Sequence, residues 1–390
     1  MVSTGAPCGH APVITALDLP ADAPGGSVEL LYDLYGRPGA PLGGRGGQVF
    51  MLPPADSPAV GGLGRDASGL TLLDVPGKSV EGPSFWRYAA ALAEAMTAAA
   101  ALPEGAVAHL QHLAFGGSPA LIRAFPDVPR IALVHGTDLL HAENSSTQSE
   151  VLNLVARAAT RIVVPTAAMA DRLGCLAPHL SPRLVVHIPW GIPDELLTAP
   201  PPPRPRPDGN LRLLYAGRLT AEKGSRELVT ACTSLLGVRL SVAAPADQYP
   251  ALQAKLSGAA SAPDRPQADT SPVRWLGWLP RARLWEEFAS HDLLVVPSTT
   301  LEAFGLVAVE AQACGLPVLH QPVPGLSEVL TGSALPVDLA DPAALASELD
   351  RLRSDPAALA GLRAAGLANA ARYPLSRTAA ALADLGDQIA

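Results

Sequence analysis

The stretch LEAFGLVAVEAQACGLPVL, Leu301 to Leu319, decides how this chain is read. A carboxylate, Glu302, precedes a small-residue helix start at Ala303, Phe304 and Gly305. A second carboxylate, Glu310, follows eight residues on, and Gly315 with Pro317 behind it stops the helix. HDLLVVP before the stretch and PVLHQP at its end are short apolar strands, so the unit is strand, loop, helix, strand. Open α/β sheets bind ligands at the carboxyl ends of their strands. The free N–H groups and dipole of a helix start suit a phosphate. At about 1.5 Å per residue the two carboxylates would stand roughly 12 Å apart, a span comparable to a nucleoside diphosphate sugar. One carboxylate could accept hydroxyls of the sugar and the other those of the ribose, with the diphosphate between them.

The same alternation runs outward in both directions. Downstream of the proline-rich run APPPPRPRPDGN (199–210), LRLLYAGRLTAEKGSRELVTAC reads as strand, loop, helix, and VRLSVAAPA as a strand. The segment DPAALASELDRLRSDPAALAGLRAAGLANAA reads as helical. Upstream, PVITALDL (12–19), QVFML, LTLLDV, AVAHLQHLAF (106–115), RIALVHGTDLL (130–140) and ATRIVVPT carry strands, the fifth of these running into a loop. SFWRYAAALAEAMTAAAAL (84–102), PALIRAF and AAMADRLG read as helices between them. Short connections between alternating strands and helices predict an α/β protein with mostly parallel sheets covered on both faces.

The run E-A-F-G-L, with its second glutamate and E-A-x-A-C-G-x-P-V, resembles the E-x7-E motif of retaining glycosyltransferases of family 4. Members have the GT-B fold, two Rossmann-like domains facing across a cleft. Family members usually carry Pro after the first Glu; here Ala303 stands there. The resemblance covers most of the chain, densely over 130–335. It implies an N-terminal acceptor-side domain (1–198), a stiff linker (199–210), a nucleotide-sugar domain (211–373) and a C-terminal helix (374–390) that returns to the first domain.

The chemistry follows from a few groups. Arg218 and Lys223 share a glycine-punctuated loop, A-G-R-L-T-A-E-K-G, before a helix. A leaving diphosphate gains charge as the glycosidic bond breaks, and two cations on one loop can neutralise it. Arginine offers a fork and lysine a point charge. Only three lysines (Lys78, Lys223, Lys255) occur among 28 cationic residues, which makes a lysine in such a loop notable. The loop also resembles the family's G-R-L…K-G phosphate site. The resemblance therefore assigns Arg218, Lys223 and Glu302 to catalysis, and Gly217, Phe304, Gly305, Leu306 and Glu310 to the donor. It places the glycine pair Gly25 and Gly26 near the diphosphate and acceptor. The H-G-T-D run bearing His135 and Asp138 would line the acceptor and sugar side. Many members have H-x-H where this chain has H-L-Q-H, so Gln111 falls on the position of the second His and His112 follows it. Glutamine can hydrogen-bond a sugar hydroxyl but cannot act as a base. A front-face retaining transfer needs no protein base, because the leaving phosphate accepts the acceptor's proton. Trp275 and Trp278 fall where the family holds the nucleobase, and the base stays open between uracil and guanine (a UDP-sugar or GDP-sugar donor).

Composition narrows the rest. A chain of 390 residues with 48% apolar content can fill two cores. A net charge of −8 excludes nucleic acid as the expected partner. Residues 1–195 carry 11 Lys and Arg against 17 Asp and Glu, so the first half is the more acidic. Membrane-lipid glycosylation calls for a basic amphipathic surface. The helix 84–102 has one arginine and no cationic stripe, so no stable membrane association is expected and the acceptor is expected to be small, soluble and neutral or cationic, such as an aminocyclitol or other secondary-metabolite core. No D-x-D pair and no ligand-spaced cysteines are present, so neither a metal nor another cofactor is expected. Cys8, Cys175, Cys232 and Cys314 read as buried small hydrophobes. No signal peptide and no spanning helix are read, which points to the cytoplasm. The alternatives are a GT-B-type nucleotide-sugar 2-epimerase or hydrolase, and a non-catalytic nucleotide-sugar-binding module. The sequence leaves the oligomeric state open.

Overall fold

The computed structural model describes residues 10–43, 46–54, 68–100, 102–204, 210–250, 253 and 272–390. Thirteen strands form two wholly parallel sheets among these residues. The first contains β1 (Val13–Pro20), β2 (Gln48–Leu52), β3 (Thr71–Leu72), β4 (Val107–Leu110), β5 (Arg130–Leu133), β6 (Arg161–Val164) and β7 (Val185–His187), in the order β3-β2-β1-β4-β5-β6-β7. The second contains β8 (Leu211–Ala216), β9 (Val238–Ala243), β10 (Val273–Trp275), β11 (Leu293–Val296), β12 (Val318–His320) and β13 (Leu335–Pro336), in the order β10-β9-β8-β11-β12-β13. Each sheet is doubly wound, with the strand order reversing between β1 and β4 and between β8 and β11. At such switch points the loops diverge and leave a crevice. Helices cover both faces, which is why β4 and β11 are buried along their whole length.

The sheets share a core. One hydrophobic cluster runs from Leu17 and Val28 in the first half through Trp190 to Phe304, Leu326 and Leu375 in the second. The last helix, Leu375–Asp387, ties the halves together at its two ends. Ser376 donates from N and Oγ to Asp194 (3.0 and 2.6 Å), and Thr378 Oγ1 donates to the Pro189 carbonyl (2.8 Å). Ala11 N donates to Asp387 Oδ1 (2.8 Å). Of the proline-rich run, 205–209 lies outside the described residues.

The structure corrects several local expectations. The loop read after β5 is a helix, Thr137–Asn144, and a further helix, Ser146–Ala158, follows it. Its start was legible: Ser145 Oγ accepts from Gln148 N (3.1 Å), and Val151, Leu152, Val155 and Ala156 are buried at helical spacing. The long helical segment after residue 341 is two helices, Pro342–Ser354 and Pro356–Ala370. Pro356 cannot donate to a continuing helix, and Asp355 caps the second one through Ala358 N (2.9 Å). Cys232 and Cys314 are buried as expected, but Cys175 is exposed; Cys8 lies outside the described residues.

Candidate active site

The loops leaving β1, β4, β8 and β11 meet at one cleft cavity of about 400 Å³ between the two sheets. It is therefore built by both switch points at once. The loop after β8 is fixed before any ligand arrives. Tyr215 Oη donates to the Arg218 carbonyl (2.5 Å), and Leu219 N donates to Gln248 Oε1 (2.7 Å). Gly224 closes the loop with φ +60°, and a Cβ there would fall 2.0 Å from the Pro297 carbonyl oxygen, so only glycine fits. This geometry points Arg218 and Lys223 into the cavity. Lys223 Nζ lies 2.5 Å from Glu302 Oε2, which also accepts from Ser298 Oγ (3.0 Å). The lysine and the first motif glutamate, 79 residues apart, form one ion pair at the cleft wall. Arg218 keeps only a 3.9 Å contact with Glu222 and is 36% exposed, free to swing onto an anion.

The glutamate helix spans Leu306–Ala313, so Glu302 precedes it rather than riding on it. The rise-per-residue spacing of the two carboxylates therefore applies only from Leu306 onward. Glu302 instead sits in an isolated bridge with Gly325. Gly305, at φ +80°, turns the chain into the helix; a Cβ there would meet Leu326 Cδ1 at 2.5 Å. Gly217, Phe304, Gly305 and Leu306 all line the cavity. So does Glu310, but it is not free: Oε1 accepts from both Nε (3.0 Å) and Nη2 of Arg281, and Oε2 accepts from Trp285 Nε1 (3.0 Å). Arg281 carries the same fork to Asp33 of the first half through Nη1. Burial opposes its charge, yet Glu310 and Asp33 hold its pKa above the ordinary arginine value.

The cavity is also lined by Gly25, Gly26, His112 and His135, joined by Asp18, Lys78, Phe115, His141 and Trp190. The last five carried no motif in the sequence. Lys78 reaches the Asp18 carbonyl and stands 3.7 Å from Asp18 Oδ2. Burial raises the Asp18 pKa, and Lys78 works against that rise. The rings form one tier: His135 stacks on Trp190 at 5.4 Å, His112 lies 4.7 Å from His135, and Phe115 contacts both His112 and His141. Burial drives the His135 pKa down to about 3 and that of His112 well below its ordinary value, so both imidazoles are neutral at pH 7. Burial also lowers the His141 pKa. Trp278 lines the cavity, whereas Trp275 packs on Tyr249 at 4.4 Å, both half-buried against the core of the second sheet.

Two expected cavity residues are turned away from it. Gln111 is buried, its Nε2 donating to Thr15 Oγ1 (2.8 Å) inside the first sheet. Asp138 is also buried, with Oδ2 accepting from Leu113 N (3.0 Å) and Oδ1 from His135 N (3.3 Å). It thereby holds the two strand-end loops that carry His112 and His135. Burial raises its pKa to about 6 against the backbone donors. A folded pKa above the unfolded value near 3.9 means the native state binds the proton more tightly. Asp138 therefore favours folding below about pH 4, and that contribution is lost as pH rises through about 6. The difference of about two units corresponds to at most ~3 kcal/mol. Urea unfolding at pH 4.5, 5.5 and 7 is expected to show this decline, and Asp138→Asn to flatten it. Among the described residues, no three His, Cys, Asp or Glu side chains are grouped to hold a metal ion.

Comparison with known proteins fits this geometry. Residues 210–355, which contain all six strands of the second sheet, match the family model described as glycosyl transferases group 1. D-inositol 3-phosphate glycosyltransferase 1 of Catenulispora acidiphila is 31% identical over 291 residues, covering 68% of each chain. The chain belongs to the group 1 glycosyltransferases. The D-inositol 3-phosphate glycosyltransferase of Thermobispora bispora is 44% identical over a shorter stretch of 108 residues, 27% of this glycosyltransferase and 25% of its relative. Among solved structures, sucrose-phosphate synthase from Thermosynechococcus elongatus superposes with TM-score 0.74 at 19% identity, covering 97% of this chain and 98% of the other. Anabaena HepE in complex with UDP-glucose superposes with TM-score 0.72 at 17% identity over 96% and 99%. At that identity the likeness is one of fold, and the fold is GT-B. No helix among the described residues is long and apolar enough to cross a membrane.

Proposed function

We propose that this glycosyltransferase moves a sugar from a nucleoside diphosphate sugar to a small polar acceptor with retention of configuration. The observation that carries the reading is the convergence of Arg218, Lys223, Glu302 and the start of the Leu306–Ala313 helix on one cavity wall. The bond from the anomeric carbon to the diphosphate oxygen breaks, and a bond to the acceptor oxygen forms on the same face. The acceptor's proton passes to the leaving diphosphate oxygen. Arg218 and Lys223 stabilise the charge that grows on the diphosphate, most strongly in the transition state. Glu302 holds Lys223 in place and accepts sugar hydroxyls, while Glu310 accepts ribose hydroxyls. The acceptor takes the pole lined by Asp18, Lys78 and the histidine tier.

That the Anabaena neighbour binds UDP-glucose supports a uridine donor. The relatives' names support a cyclitol-like acceptor. They name a phosphorylated one, whereas the pairing of Lys78 with Asp18 favours a neutral or amine-bearing acceptor beside these two residues. Incubation with UDP-, GDP- and ADP-sugars tests the reading. Nucleotide release only in the presence of acceptor supports transfer. Release without acceptor would point to a hydrolase, and tight binding without turnover to a binding module. The anomeric configuration of the product, read by NMR, tests retention. An acceptor panel of inositol, an aminocyclitol and inositol 3-phosphate tests the charge preference; faster use of the phosphate would overturn it.

Activity is expected to persist in excess EDTA, because two cations and a helix start already face the diphosphate. Loss of turnover with chelator, restored by Mg²⁺ or Mn²⁺, would refute this.

A further inference from the structure

We propose that Asp33 and Arg281 form a positioning relay that keeps one oxygen of Glu310 open to the donor ribose and makes nucleotide binding depend on docking of the two domains. The inference rests on the proposed use of a nucleoside diphosphate sugar. Its basis is an accounting of lone pairs. An arginine facing a carboxylate normally lays its fork across both oxygens. Here Nε and Nη2 of Arg281 both fall on Oε1 of Glu310, while Nη1 is held by Asp33 across the cleft. Oε2 receives only the indole N–H of Trp285 at 3.0 Å. One acceptor position on Oε2 therefore stays available on the cavity side. Trp285 also supports the guanidinium, whose carbon lies 5.5 Å from the ring centroid.

All three charged side chains are nearly sealed from solvent, at 15% for Arg281, 8% for Asp33 and 7% for Glu310. One cation thus serves two carboxylates in a poorly solvated place, where losing a partner is costly. Arg281 and Glu310 line the cavity, but Asp33 does not, so Asp33 acts on the nucleotide only through Arg281. Asp33 sits in the π-helical turn Tyr32–Gly36 that continues the helix opened by Gly25 and Gly26. Arg37 approaches its Oδ1 at 4.0 Å, and Glu29 of the preceding turn adds a like charge. The relay thus links the glycine loop of the first domain to the ribose carboxylate of the second. Without Asp33 the fork is released to rotate onto both oxygens of Glu310, closing it to the ribose and loosening the cleft.

The test uses the full chain. Titration calorimetry with UDP, GDP and ADP first identifies the nucleotide that wild type binds. Asp33→Asn, which is isosteric and outside the cavity, is then expected to weaken that nucleotide ~10-fold, a typical coupling between linked sites, and to enlarge the ligand-free particle in small-angle X-ray scattering. Asp33→Glu is expected to recover most of the affinity. Arg281→Gln separates the relay from simple blocking and remains informative if Asp33→Asn does not fold. The relay expects weaker binding, whereas an arginine that only obstructs Glu310 would give tighter binding when removed. In the double variant the relay expects no loss beyond that of Arg281→Gln alone. Wild-type affinity in Asp33→Asn, tighter binding in Arg281→Gln, or additive losses would each overturn the relay. If wild type binds none of the three nucleotides, it is the proposed donor class that fails instead.

Discussion

Replacing Lys223 by alanine is expected to lower kcat/KM on the order of 100-fold or more, and Arg218→Ala to have an effect of similar size. A factor of 100 is about 2.7 kcal/mol of transition-state stabilisation. That is the scale of one charge aimed at a developing oxyanion in a site shielded from water. The two residues reach it differently. Lys223 is already held against Glu302, so its removal also leaves that carboxylate, 18% exposed, without its cation. Arg218 is half open and must move onto the diphosphate, so its loss is expected to fall on kcat with little change in the ligand-free fold. Steady-state kinetics with thermal melting of each variant checks this. Wild-type turnover in either variant, with the fold intact, would remove it from the site.

The cavity lining around Arg218, Lys223 and Glu302 was legible in the sequence because its groups lie on two short, glycine-marked loops. G-R-L-T-A-E-K-G and E-A-F-G-L fix their own backbones, through Gly224 against Pro297 and Gly305 against Leu326, so each motif lands where it reads. The rest of the lining was less legible. Its side chains come from separate places in the chain: Asp18 near the end of β1, Lys78 from the loop after β3, Phe115 after β4 and Trp190 after β7. None has a fixed spacing from another. Gln111 and His112 show how fine the margin is. They are neighbours just beyond the end of β4, yet Gln111 turns inward to Thr15 while His112 lines the cavity. Arg281 was invisible for a different reason. It opens an ordinary amphipathic helix, and its partners Asp33 and Glu310 lie 248 and 29 residues away. The histidine tier could have been suspected from burial alone, since three histidines close to apolar strands cannot all be charged.

The two motif glutamates are expected to fail in different ways when truncated. Glu310→Ala should weaken binding of the bare nucleoside diphosphate itself, by roughly 10-fold or more, because a carboxylate hydrogen bond of about 1.5–3 kcal/mol is lost. It also removes one carboxylate from Arg281, which keeps Asp33 but no longer a partner on the cavity side. Glu302→Ala should leave bare nucleotide affinity near wild type and instead depress turnover of the nucleotide sugar, on the order of 100-fold. Its carboxylate is tied to Lys223 and Ser298, whereas that of Glu310 is tied to Arg281 and Trp285. Removing it frees Lys223 as well as deleting an acceptor for the sugar, so the lost stabilisation belongs to the reacting end. Titration of both variants with UDP and with the intact donor, set beside single-turnover rates, separates the two effects. Equal loss of bare-nucleotide affinity in both would contradict the division of labour, because two carboxylates with separate cation partners would then be serving one end of the donor.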